Sequence, residues 1–254
     1  MKILKSISSL KAWRKKQSSL KKSVGLVPTM GALHAGHIEL VKKAQKNCAT
    51  VVVSIFVNPT QFNKVEDLKN YPKTLKEDLA LLKAANVDAV FLPTEKMLYP
   101  DDFNYKVSEE NLSQFLCGEH RPGHFTGVLT VVLKLLNLTQ STQAFFGEKD
   151  FQQLKLIQGM AKALFLESKI VPVATVREKN GLALSSRNKR LSAEALEKAQ
   201  IIPELLRNKK NSPAAIQKIL LEAGFKVDYV EDHWKRRFVA AHVEGVRLID
   251  NMRI

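Results

Sequence analysis

His34 and His37 stand three residues apart beside two glycines in the stretch Pro28-Thr29-Met30-Gly31-Ala32-Leu33-His34-Ala35-Gly36-His37. This stretch directly follows the apolar run Val24 to Val27. A strand that passes through a glycine-containing turn into a helix exposes unpaired backbone N–H groups and the positive end of the helix dipole, which suits a triphosphate. Residues about one helical turn apart fall on the same side of such a helix start. Both imidazoles can then donate to phosphate oxygens as charge develops on them. Taken alone, an H-x-x-H is as readily a pair of capping or core histidines, so its neighbours must decide between the two readings.

Other segments offer chemistry of the same kind. Gly147-Glu148-Lys149-Asp150 sits where a strand gives way to a helix. Gly147 permits close backbone approach, Lys149 can reach phosphate, and Asp150 can accept from a ribose hydroxyl or simply cap the helix. Leu184-Ser185-Ser186-Arg187 follows Asn180-Gly181 in a polar loop, where hydroxyls and a guanidinium can fold over a triphosphate or start the next helix. Gln61 and Gln153 are neutral amides with donors and acceptors, which suits a small hydroxy acid, and Gln153 lies one turn beyond Lys149. Cys48 and Cys117 have no CxxC partner and the serines have no adjacent histidine, so neither a zinc site nor a covalent acyl-enzyme is expected.

The elements that must position these groups alternate. Strand-like runs at Val24 to Val27, Thr50 to Val57, Ala89 to Leu92, Gln143 to Phe146 and Ile170 to Val176 are separated by helical stretches at His37 to Lys46, Thr74 to Ala85, Thr126 to Leu138 and Lys149 to Leu166. Such alternation predicts an α/β fold, a Rossmann-like parallel sheet with flanking helices, and ligands at the carboxyl ends of its strands. After Val176 come a polar loop, helical segments at Ala193 to Arg207 and Ala214 to Ala223, and strand-like stretches at Lys226 to Val230 and Phe238 to His242. The expected division is a nucleotide-binding domain over residues 1–176 and a small α+β, lid-like carboxy-terminal domain over residues 177–254.

The chain has 254 residues, 45% hydrophobic and 26% charged, ordinary for a soluble globular protein. With two cysteines no disulfide framework is indicated, and a reducing cytoplasm is expected. Lys and Arg interrupt Met1 to Lys22 too often for a signal-peptide core, and no run approaches membrane-spanning length. Of the net charge of +15, eight basic residues and no acidic ones lie between Lys2 and Lys22. Ile3, Ile7, Leu10 and Trp13 recur there at helical intervals, so an amphipathic helix with a solvated basic face is expected. Signatures of nucleic-acid binding are missing; the charge is read as attraction for anionic substrates, with neither nucleic acid nor membrane as partner.

The sequence motifs also resemble a known family. H-x-G-H is typical of adenylylating enzymes. Together with Ser54-Ile55-Phe56-Val57-Asn58-Pro59-Thr60-Gln61-Phe62, Tyr71-Pro72-Lys73-Thr74, Arg121-Pro122-Gly123-His124-Phe125, Phe146 to Gln153 and Leu184 to Asn188, the chain resembles the pantoate–β-alanine ligases. Arg247-Leu248-Ile249-Asp250-Asn251 is a weaker, closing match. The resemblance implies ATP-dependent condensation of pantoate with β-alanine through a pantoyl-adenylate, on a homodimer. It implies ATP contacts along Met30, Gly31, Ala32, Leu33, His34, Ala35, Gly36 and His37, at Gly147, Glu148, Lys149 and Asp150, at Val176, and along Leu184, Ser185, Ser186 and Arg187. His37 would be the main catalytic donor, Gln61 and Gln153 would hold pantoate, and Gln61 would also meet β-alanine. Arg121, His124 and Tyr71 would shape the pantoate pocket or its gate. Mg²⁺ is expected with ATP, without a dedicated protein site, Asp78 being a candidate outer ligand. Thr60 stands where the family commonly has Met, a change expected to affect packing only, and the carboxy-terminal region is expected to be short for the family. Two other readings are a nucleotidyltransferase that stops at a nucleotidyl product, which leaves Gln61 and Gln153 unexplained, and a basic binding module on an inactive nucleotide fold.

Overall fold

The computed structural model describes residues 1–254. Strand β1 (Lys2–Leu4) leads to α1 (Ile7–Ser19), β2 (Val24–Thr29), α2 (Ala35–Asn47) and β3 (Thr50–Ile55). The chain continues through α3 (Val65–Lys69), α4 (Leu75–Ala84), β4 (Ala89–Phe91) and the short helices α5 (Glu95–Leu98) and α6 (Cys117–His120). Then follow α7 (His124–Thr139), β5 (Gln143–Gly147), α8 (Phe151–Ala163) and β6 (Lys169–Val173). The six strands form one parallel sheet in the order β1-β4-β3-β2-β5-β6. β2 lies between β3 and β5, where the winding of the sheet reverses and a ligand crevice opens at the strand ends.

Neighbouring residues of the central strands serve opposite layers. Leu26, Val52 and Phe146 are buried with residues of α1, α7 and α8, whereas Val27, Val53 and Phe145 are buried with residues of α2 and α4. Covering both faces explains the unbroken Val51-Val52-Val53 run. Each fully buried side chain of this size contributes about 1.5 to 3 kcal/mol.

The remainder comprises α9 (Ala193–Lys198), α10 (Ile201–Arg207), α11 (Pro213–Glu222) and an antiparallel sheet of β7 (Lys226–His233), β8 (Arg236–Val243) and β9 (Val246–Arg253). Leu206, Ile216 and Leu220 give it a core of its own. Tyr229 and Phe238 nevertheless belong to the main core. At the β7–β8 turn, Trp234 and Lys235 both have positive φ, the primed geometry favoured in tight hairpins, and Trp234 packs on Phe115 and Phe151. No helix is long and apolar enough to cross a membrane.

The α/β reading holds, with local corrections. Ile3 belongs to β1, a three-residue edge strand too short to show periodicity, and the helix starts only after Ser6, whose side chain accepts from Ser9 N–H. Residues 174–176 lie beyond β6 in a loop. The expected helix over 193–207 is two, because Pro203 has no N–H to offer the Ala199 carbonyl. The third antiparallel strand, β9, escapes pattern reading because Asp250 and Asn251 are buried in it.

One wall of the crevice is closely packed. Helix α7 meets the 3₁₀ turn Pro59–Gln61 at Gly127, where an added Cβ would lie 2.4 Å from the Thr60 carbonyl oxygen. Gly127→Ala should therefore push the turn outward and cost about 1 to 3 kcal/mol of stability. Urea unfolding checks this: a lower midpoint with an unchanged slope is expected, and an unchanged midpoint refutes the close approach.

Candidate active site

The crevice starts at the carboxyl end of β2. Gly31 and Ala32 take φ of +81° and +50°, so the chain reverses sharply before α2. Asp78 on α4, only 2% exposed, holds this turn: its two carboxylate oxygens accept from Ala32 N–H at 2.9 Å and Leu33 N–H at 2.8 Å. Thr74 Oγ1 donates to the same carboxylate at 3.2 Å. The carboxylate suggested as a Mg²⁺ ligand is thus spent on the backbone, and it is not on the cavity wall.

The two histidines cap the helix for each other. His34 is the N-cap of α2, and its Nδ1 accepts from Gly36 N–H at 3.1 Å, while His37 Nδ1 accepts from His34 N–H at 3.3 Å. A nitrogen that accepts carries no proton, so in both neutral rings the proton sits on Nε2. The rings lie 4.1 Å apart between centroids. A Cβ on residue 36 would come within 2.9 Å of the His34 ring, which makes Gly36 a condition of the arrangement. Burial, with Lys149 adding to it, lowers the His34 pKa from 6.5 to about 4. Burial, then His34 and Lys149, lowers that of His37 to about 3. Both are therefore neutral donors near pH 7, not cations; the capping reading of the H-x-x-H holds, and both rings also line the cavity.

The opposite wall is built on Asn58. Its Nδ2 donates to Gln61 Oε1 at 3.0 Å and to the Gly127 carbonyl at 3.2 Å, and its Oδ1 accepts from Tyr99 Oη at 2.8 Å and Thr60 Oγ1 at 3.0 Å. Thr60 is thus a hydrogen-bonding member of this wall and not a packing change alone. Gln61 Nε2 points to Met30 Sδ at 3.1 Å. Behind the wall, His124 Nδ1 and Arg121 Nη2 both donate to the Gln61 carbonyl, at 2.8 and 3.0 Å, and Arg121 Nη1 donates to His124 Nε2 at 2.9 Å. Burial and then Arg121 hold His124 well below its usual pKa. Arg121 and His124 back the Gln61 turn and do not line the cavity; Tyr71 does. Gln153 projects into the cavity, whereas its neighbour Gln152 is buried and donates to the carbonyls of Leu112 and Phe115.

Glu148 to Asp150 form a 3₁₀ turn between β5 and α8, with Lys149 Nζ 3.8 Å from the Asp150 carboxylate. Glu148 turns away to pair with Arg236 on β8. Across the mouth, Ser186 Oγ meets Tyr71 Oη at 3.1 Å. Arg187 and Arg190 both bond the Asp67 carboxylate of α3, at 2.8 and 2.6 Å. Burial alone would raise the Asp67 pKa, but the two arginines hold it below the ordinary carboxylate value.

One cavity of about 240 Å³ is lined by Met30, His34, Gly36, His37, Gln61, Gly147, Lys149, Asp150, Gln153, Val176, Leu184, Ser185, Ser186 and Arg187, all expected from the sequence. Gly31, Ala32, Leu33, Ala35 and Glu148 do not line it. The first four shape the turn and the helix start, and Glu148 faces Arg236. Sequence reasoning missed Thr29, Asn58, Ala174 and Thr175 on the wall, although Asn58 precedes Pro59-Thr60-Gln61 within a quoted motif.

Known proteins share this architecture. Residues 2–253 match the family described as pantoate-beta-alanine ligase. A pantothenate synthetase of Bdellovibrio bacteriovorus is 55% identical over 99% of both chains, and one of Coxiella burnetii is 45% identical over 99% of this chain and 96% of its own. The carboxy-terminal region is therefore not short beside these relatives. The crystal structure of pantoate-beta-alanine ligase from Francisella tularensis, complexed with beta-gamma ATP and beta-alanine, superposes with a TM-score of 0.94 at 42% identity, covering 100% of this chain and 97% of that one. Pantothenate synthetase from Thermus thermophilus gives 0.90 at 38% identity, over 100% and 99%. With sequence and fold matched from end to end, this chain belongs to the pantoate-beta-alanine ligase family.

Proposed function

We propose that this protein condenses (R)-pantoate with β-alanine at the expense of ATP, through a pantoyl-adenylate. The observation that carries the proposal is the cavity itself. Two neutral histidine donors and Lys149 stand on one side, and the amides Gln61 and Gln153 reach into the same space. In the first step a pantoate carboxylate oxygen attacks the α-phosphorus of ATP, and the bond to the bridging oxygen breaks to release pyrophosphate. In the second, the amine of β-alanine attacks the acyl carbon and AMP leaves.

The chain's residues divide this work. His34 and His37 donate from Nε2 to phosphate oxygens, and because their Nδ1 atoms are held by backbone N–H groups the donors are already aimed. His37, the more deeply buried, is the main catalytic donor. Lys149 and, once released from Asp67, Arg187 supply charge for the triphosphate and the leaving pyrophosphate. Asp150 meets the ribose, and the Val176 and Leu184 to Ser186 backbone flanks the nucleotide. Gln61 and Gln153 hold pantoate by its hydroxyls and carboxylate, with Gln61 at the β-alanine position as well. Mg²⁺ accompanying ATP would be held largely by phosphates and water, the wall offering the single carboxylate of Asp150, and would neutralise phosphate charge. The family resemblance supports a cytoplasmic homodimer, with the nucleotide unit over residues 1–176 and the smaller unit over 177–254.

The test is a rapid-quench assay with ATP, Mg²⁺ and pantoate but no β-alanine. About one pyrophosphate per active site should appear in a burst, because the adenylate stays bound and shielded from water. ADP formation, or no pyrophosphate until β-alanine is added, overturns the route.

Substrate assignment is checked by calorimetry. Gln61→Ala and Gln153→Ala should each weaken pantoate by about 1 to 3 kcal/mol while ATP affinity changes little. Equal losses for both ligands contradict the assignment.

The tautomers are open to NMR of ¹⁵N-histidine in the ligand-free protein. Both rings should carry the proton on Nε2 and remain uncharged from pH 8 to about pH 5, given pKa values of about 4 and 3. Because the folded values lie below the unfolded 6.5, their contribution to stability is complete above pH 6.5 and declines as the pH falls toward 4 and then 3. Titration of either ring near 6.5 contradicts the capping geometry.

A further inference from the structure

Asp250 and Asn251 close the last motif of the sequence, and nothing in the mechanism above uses them. Both are buried on β9, far along the chain from the residues they touch. Asn251 Nδ2 donates to two successive carbonyls, those of Glu148 and Lys149, each at 3.0 Å. Its Oδ1 accepts from Arg236 Nη1 at 2.7 Å, and the other end of that guanidinium holds the Glu148 carboxylate. Arg236 also lies over the Phe151 ring, 4.3 Å from its centroid. The turn that carries Lys149 is thus gripped at two carbonyls, one carboxylate and the first residue of α8.

A three-residue 3₁₀ turn has weak internal hydrogen bonds and does not by itself fix where its middle side chain points. A long lysine magnifies any tilt of that turn at its ammonium end. A carboxamide has two N–H donors and one acceptor carbonyl, matching two backbone acceptors and one arginine. The neighbouring Asp250 extends the same anchor to the other cationic arm. It takes Arg177 through two bonds of 2.6 and 2.8 Å, and Arg177 donates onward to the Asn251 and Gly181 carbonyls, fixing the base of the loop that ends in Arg187.

We propose that Asn251 is a positioning residue for adenylate formation, acting through Lys149. The inference rests on the reading that Lys149 serves the phosphates. Asn251 touches no substrate; it sets the angle at which Lys149 enters the cavity, and Asp250 keeps the Arg187 loop in register with it.

The test is a double-mutant cycle on the rate of the pyrophosphate burst, using Asn251→Asp, Lys149→Ala and the two together. Asn251→Asp keeps the size of the side chain and its acceptor for Arg236 and loses both donors. It should slow the burst about ten- to a hundredfold, the order expected for a misplaced catalytic group. The KM for β-alanine should stay within about twofold, because Gln61 sits on the separate Pro59–Gln61 turn and is held there by Asn58. The double variant should be no slower than Lys149→Ala alone. A burst in Asn251→Asp within twofold of the parent, alongside a slow Lys149→Ala, overturns the inference and leaves the role of Lys149 intact. Losses that multiply in the double variant also overturn it, since Asn251 would then act elsewhere. An unimpaired Lys149→Ala overturns the role of Lys149 and the inference with it. If the aspartate variant does not fold, Asn251→Ser, which retains one donor, is carried through the same cycle and judged by the same outcomes.

Discussion

A single buried carboxylate underlies the site. Asp78 receives the N–H groups of Ala32 and Leu33 and so stabilises a reversal that passes through two consecutive residues at positive φ. A non-glycine residue such as Ala32 adopts that backbone only where its surroundings compel it. The reversal fixes where α2 begins, and the start of α2 fixes which residue caps it. Because the cap is a histidine, the choice of cap is also a choice of tautomer. Fold, helix start and proton position therefore follow in sequence from one interaction between α4 and the turn after β2.

The electrostatics of the cavity divide donors from charges. A protonated imidazole between Lys149 and a second imidazole would be costly in this buried place, and both rings are pushed toward neutrality. Positive charge is left to Lys149 and Arg187, which sit on longer side chains at the rim and on the 3₁₀ turn. In the proposed reaction the histidines can then remain neutral while phosphates arrive and leave, and the permanent charges of Lys149 and Arg187 meet the change in charge.

The legibility of the sequence differed by kind of residue. The central sheet was readable because strands buried on both faces produce continuous apolar runs, and fourteen of the expected site residues do converge on one cavity. What escaped were elements too short or too polar to form a pattern. β1 has three residues, and β9 hides Asp250 and Asn251 in positions where alternation would call for apolar side chains. Glu148 is expected at ATP from the family resemblance, and Asp78 at Mg²⁺ because carboxylates suit that ion. Their actual partners, Arg236 and the N–H groups of Ala32 and Leu33, are brought together by folding alone. The Thr60 hydroxyl bonds its neighbour Asn58 and also meets Tyr99, 39 residues along the chain, a contact that only folding creates.

The contact between Asp67 and the arginines of the 177–190 loop changes the accounting of nucleotide affinity. A guanidinium already satisfied by a carboxylate gives a phosphate only the difference between two ion pairs, so an arm proposed to serve the triphosphate adds little to ground-state binding. The same difference governs the reverse exchange. Under the proposed reaction, Asp67 stands ready to take back Arg187 as pyrophosphate loosens, and departing product meets an intramolecular rival at high effective concentration. On that reading, turnover escapes the tight product retention that an uncontested arginine clamp would impose.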